Sequence, residues 1–149
     1  MGKNSANDGY ARAVELTEEA MRIGDETHYE EGERLLREAA ELVPDEQTFT
    51  QNYVEFCVQV AHNNILNGDY DEAIAYYRKA LRKFPDDAET LIDLGSAYAH
   101  NEQGPEALEA WQKALKLLNA ARGKDKANIE TILENVRTVQ KALKEAGVE

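Results

Sequence analysis

Chain breakers are scarce in this sequence. It has three prolines and nine glycines among 149 residues, a composition that favours helices. Its single cysteine, Cys57, excludes an internal disulfide and fits a reducing compartment. No run of 18 apolar residues occurs, so nothing is expected to span a membrane. The N-terminal stretch MGKNSANDGY lacks the apolar segment of a secretion signal, and a cytoplasmic location is expected. No glycine-rich loop is present to cradle a phosphate. The three histidines, His28, His62 and His100, are too scattered to form a metal pair at helical spacing. Neither an enzyme activity nor a metal or cofactor is expected.

Acidic charge is what the chain has in excess. It carries 17 basic and 29 acidic side chains, a net charge of −12. The imbalance is uneven: 5 basic against 13 acidic residues over 1–50, 4 against 8 over 51–100, and 8 against 8 over 101–149. A nucleic acid or an anionic membrane needs the opposite field, so neither is an expected partner. A protein or peptide segment that is neutral or basic suits this charge better. Neighbouring acids such as Glu18–Glu19 and Glu30–Glu31 read as solvated helix faces. The apolar content of 42% excludes a disordered chain, and the length corresponds to one domain.

The apolar residues repeat. Ala73, Tyr77, Ala80 and Leu81 are followed 34 positions later by Ala107, Trp111, Ala114 and Leu115. Cys57, Val60, Ala61 and Asn64 are matched at the same offset by Leu91, Leu94, Gly95 and Tyr98. A period of this length, built from two helical segments, is the signature of stacked helical hairpins. Upstream, Glu31, Gly32, Leu36, Ala39 and Pro44 match Glu72, Ala73, Tyr77, Ala80 and Pro85 at an offset of 41. The seven additional residues amount to about two helical turns. Because no Gly or Pro lies between Asp45 and Asn67, they are expected to lengthen the third helix, with its first two turns projecting beyond the stack.

The pattern resembles the tetratricopeptide repeat family. The middle unit supplies Cys57, Val60, Ala61, Ala73, Tyr77, Ala80 and Pro85; the last supplies Leu91, Leu94, Gly95, Tyr98, Ala107, Trp111 and Ala114, with Asn119 in place of the closing Pro. The resemblance implies an all-α, right-handed superhelical stack of three antiparallel hairpins. The repeats span about 8–46, 47–87 and 88–121, within a single domain covering 1–149. Small residues such as Ala61 and Gly95 allow paired helices to approach to ~8–10 Å, leaving Tyr77 and Trp111 to fill the space between them. Cys57 then becomes a buried, inert thiol.

Seven helices are expected. The first runs from about Asp8 to Ile23, ended by Gly24, and the second covers about His28–Leu42 with Leu35, Leu36, Ala39 and Leu42 inward. Asp69 with Glu72, and Asp86 with Glu89, have the spacing that caps the starts of the fourth and fifth helices. Gly104–Pro105 opens the sixth. Beyond Gly123, Ile129, Ile132, Val136, Val139, Leu143 and Ala146 form a narrow apolar seam on a helix over about 125–146. Such a seam serves either to cap the last hairpin, which repeat stacks require, or to associate with another copy.

The resemblance also places a site. First helices line the concave wall of such stacks. The corresponding residues here are Thr17, Met21, Glu55, Val58, His62, Ile65, Glu89, Ile92, Ser96 and Ala99. Some family members clamp a C-terminal carboxylate with paired Lys/Arg and Asn; Met21, His62, Asp93 and Ser96 do not supply that set. The expected function is a non-enzymatic adaptor that binds a peptide or protein segment in this groove as a monomer. The alternative is a self-associating structural subunit or assembly chaperone, docking through the projecting third helix or the C-terminal helix.

Overall fold

The computed structural model describes residues 2–23, 28–120 and 126–148, with side chains for 6–23, 28–119 and 126–148. It contains seven α-helices: α1 (Gly2–Ile23), α2 (Tyr29–Leu42), α3 (Gln47–Asn67), α4 (Tyr70–Lys83), α5 (Ala88–His100), α6 (Gly104–Ala120) and α7 (Lys126–Glu145). No strand occurs among the described residues. The expected helix-ending roles of Gly24 and Gly123 lie outside those residues. The chain divides into two compact units, Met1–Val60 and Ala61–Glu149, which are described in turn.

In the first unit, Ala13, Leu16 and Ala20 of α1 share a core with Leu35, Leu36, Ala39 and Ala40 of α2 and with Tyr53, Val54 and Cys57 of α3. Gly32 allows close approach to α3, since a Cβ there would stand 2.9 Å from Cζ of Phe56. Leu42, expected to face inward, is instead exposed. α3 is unbroken over 47–67, but its first two turns do not project. Phe49 and Tyr53 are both buried, and Phe49 meets the Tyr10 ring edge to face at 5.5 Å. α1 begins at Gly2 rather than near Asp8, and its Tyr10 is what the first turns of α3 meet. The Tyr53 hydroxyl donates to Oε1 of buried Glu33 at 3.0 Å. That bond offsets the desolvation of a carboxylate.

In the second unit, α3 ends in a glycine turn. Gly68 has φ 79°, which is inexpensive only without a Cβ, and the Asp69 N–H donates to Asn64 O at 2.9 Å. Ala73, Ile74, Tyr76, Tyr77 and Ala80 form the buried face of α4, and Leu91, Leu94, Gly95 and Ala97 that of α5. The expected caps are not made. Asp69 forms no side-chain cap bond, and the residue before α5 is Asp87, not Asp86. The Asp87 carboxylate accepts from the Thr90 hydroxyl at 2.6 Å instead of from backbone N–H groups.

α6 presents Ala107, Ala110, Trp111, Ala114 and Leu118 inward, and Ile132 and Val136 of α7 join the cluster of Ala107, Trp111 and Leu118. Ile129 and Val139 are half-buried against the same cluster, and Leu143 lies against Gly104, where a Cβ would be 3.0 Å from its Cδ2. Ala146 falls past the helix end and is exposed. The seam therefore caps the last hairpin within the same chain.

Candidate groove wall on α3 and α5

Helix α5 owes its position to Trp111. The indole Nε1–H donates to the Ile92 carbonyl at 3.1 Å, and a Cβ at Gly95 would overlap Nε1 and Cδ1 of the ring. This contact fixes the face of α5 carrying Ile92, Asp93 and Ser96. Ile92 and Ala99 serve two purposes, since both are half-buried against the Trp111–Ile132 cluster. The Ser96 hydroxyl donates to Ile92 O at 3.1 Å, so it is engaged within its own helix. Glu89 is exposed in the first turn.

The last turns of α3 face α5. His62 Nε2 lies 3.1 Å from Oδ2 of Asp93, with the imidazole about half exposed. The other side of the His62 ring meets buried Tyr77 edge-on at 5.7 Å. Burial, followed by the charge of Asp93, holds the Tyr77 phenol above its ordinary range. Asp93 thus links the wall to the aromatic core of α4. His100 Nδ1 is 2.8 Å from Ser96 O. A carbonyl only accepts, so this nitrogen carries the proton. The His100 ring lies beside Tyr70 at 5.5 Å. Ile65 is half-buried on the same helix as His62.

In the first unit, Met21 is largely exposed and Glu55 is exposed, whereas Val58 is half-buried. Thr17 is buried, and its hydroxyl donates to Ala13 O at 2.9 Å. The structure thus brings His62 against Asp93, an acid that sequence reasoning named only among residues that do not supply a carboxylate clamp. The two are 31 residues apart, one helical turn short of the 34-residue period. An acid at that spacing from His62 was the available signal. Among the described residues no group of three or more His, Cys, Asp or Glu is arranged to hold a metal, and no helix is long and apolar enough to cross a membrane.

With this geometry in place, similarity to known proteins is informative. A tetratricopeptide repeat family model matches residues 67–126. No curated protein matches the chain. Among solved structures, the chain is similar to the first TPR of Spaghetti (RPAP3) bound to HSP90 peptide SRMEEVD, at TM-score 0.50 and 13% identity, covering 91% of this chain and 95% of that one. It is also similar to the Sgt2 TPR domain from Aspergillus fumigatus, at TM-score 0.49 and 17% identity, covering 91% and 81%. Helical hairpins at a 34-residue offset and the match over 67–126 agree for that stretch, and the likeness to the solved domain is one of fold: an all-α stack of helical hairpins.

Proposed function

We propose that this protein is a non-enzymatic adaptor that holds a neutral or basic segment of a partner protein against the first helices of its repeats. The observation that carries this reading is the charge of the wall. In the second unit, α5 and the last turns of α3 (61–67) contain Glu89 and Asp93 and not one Lys or Arg. An acidic, partly apolar wall attracts a cationic segment and repels an anionic one. The RPAP3 domain is bound to an HSP90 peptide with a Glu-Glu-Val-Asp end; the wall described here suits the opposite charge. The chain acts as a monomer. The surfaces through which a self-associating subunit would dock are occupied internally: Phe49 and Tyr53 of α3, and Ile132 and Val136 of α7, are all buried. The buried free thiol of Cys57 suits a reducing, cytoplasmic setting.

Fluorescent peptides of matched length carrying positive, zero or negative net charge provide the test. The positive peptide is expected to bind most tightly, to weaken as salt rises, and to bind less well to a Glu89→Gln/Asp93→Asn variant. Preference for the negative peptide, unaffected by these substitutions, would overturn the reading.

A further inference from the structure

The second unit carries a surface opposite in sign to the groove wall. All four Lys and Arg residues between positions 51 and 100 fall within six positions of α4: Arg78, Lys79, Arg82 and Lys83. The i,i+4 steps 78–82 and 79–83 put them on one side of the helix. α6 repeats the arrangement 34 residues later, with Lys113 and Lys116 at the positions equivalent to Lys79 and Arg82. The two groups adjoin, since Lys113 Nζ is 3.9 Å from Oδ1 of Asp86 in the turn that follows α4. Arg78, Arg82, Lys83, Lys113 and Lys116 are all exposed.

Part of this charge has a local purpose. Lys79 lies over the Tyr76 ring at 4.5 Å, and Arg82 and Lys83 oppose the negative end of the α4 dipole. Arg78, more than one turn from that end, and Lys116 have neither explanation, and with Arg82 they form no ion pair among the described residues. Three uncompensated cations on one face of a chain with net charge −12 leave their field to an outside anion.

We propose that this face of α4 and α6 docks a short acidic segment of a partner protein. Size decides between anions. The cluster spans about 8 Å along α4 at 1.5 Å per residue, about one Debye length at physiological salt. A few consecutive carboxylates fit within that field, and two arginines present forked donors suited to carboxylates. A nucleic acid or an anionic bilayer extends well beyond it and meets the acids carried by the rest of the chain. The surface is separate from the wall of α3 and α5, and the proposal does not depend on that wall's function.

The test is fluorescence anisotropy at low salt with a labelled glutamate-rich peptide, using the full chain and an Arg78→Glu/Arg82→Glu/Lys116→Glu variant. All three side chains are exposed, so the variant should melt as the parent does. The parent is expected to bind, and the variant to lose about tenfold or more, since each attraction becomes a repulsion. A positively charged peptide should not compete. Four results would each overturn the proposal: no binding by the parent; equal binding by the variant; binding of polyuridylate RNA or phosphatidylserine vesicles in preference to the peptide; or a doubling of the parent's solution mass that the variant abolishes, which would assign the face to a second copy.

Discussion

The backbone of α5 at Gly95 lies directly on the indole of Trp111, with no room for a methyl group between them. A Cβ there would also be 2.8 Å from Cε2 of the ring, and the ring is fixed by its bond to Ile92 O. Gly95→Ala is therefore expected to lower stability by ~1–3 kcal/mol through overpacking. Gly32 provides the contrast. The atom it approaches is the far end of Phe56, a half-buried ring that can tilt. Replacing a mid-helix glycine by alanine also gains about 1 kcal/mol of helix propensity. Gly32→Ala should cost clearly less in urea unfolding; the reverse order would contradict the packing described.

Trp111 is the other half of that relationship. It is 2% exposed and touches the faces of both α5 and α7. Trp111→Ala should cost ~3–5 kcal/mol. A loss under ~1 kcal/mol in chemical denaturation would mean that the ring is not the shared core of these helices.

Alkaline titration should separate two of the seven tyrosines from the others. Burial is the first cause that holds the phenols of Tyr53 and Tyr77 above the ordinary range, with Cys57 and Glu33 adding to it at Tyr53 and Asp93 at Tyr77. The unfolded chain ionises a tyrosine near pH ~10. Above that pH the folded state binds more protons than the unfolded one, so stability falls as pH rises. The stability tied to these two groups is whole below about pH 10 and is lost above it. Absorbance of tyrosinate should show the two ionising only together with loss of helix. Ionisation of all seven in an intact fold is the contrary result.

Phe49 tests the corrected position of α3. As a side chain 5% exposed against Tyr10, its truncation to alanine should cost ~3–5 kcal/mol. On a projecting helix the same change would cost under ~0.5 kcal/mol. Thermal or urea unfolding distinguishes the two directly.

These residues also show what was legible. The 34-residue offset identified Tyr77, Trp111 and Gly95 as core positions because periodic burial leaves a period in the sequence. The length of α3 followed from the absence of any breaker. The cover over its first turns did not, because the contact of Phe49 with Tyr10 of α1 joins residues 39 positions apart and leaves no period in the sequence. The His62–Asp93 pair escaped because it is set by the offset between neighbouring hairpins, not by the repeat itself. The caps at Asp69 and Asp86 failed for a related reason. The spacing permits a cap, but whether a carboxylate turns to the backbone or, as Asp87 does, to Thr90 depends on one local dihedral.

The C-terminal helix carries the last prediction. Trp111 and Leu118 of α6 have no further repeat to cover them, and Ile132 and Val136 of α7 supply the cover. Burying each of these two α7 side chains is worth roughly 1.5–3 kcal/mol, a large part of the ~5–15 kcal/mol that holds a domain together. Removing residues 126–149 should therefore cause aggregation or a steep fall in the unfolding midpoint, through the newly exposed face of α6. Ile132→Asp provides the milder version. It keeps the helix but puts a charge against Trp111, and it should lower the midpoint in the same direction without changing chain length. A truncated chain that stays monomeric with unchanged stability would mean that α7 is dispensable to the fold, which would return its apolar seam to the role of an interface for another molecule.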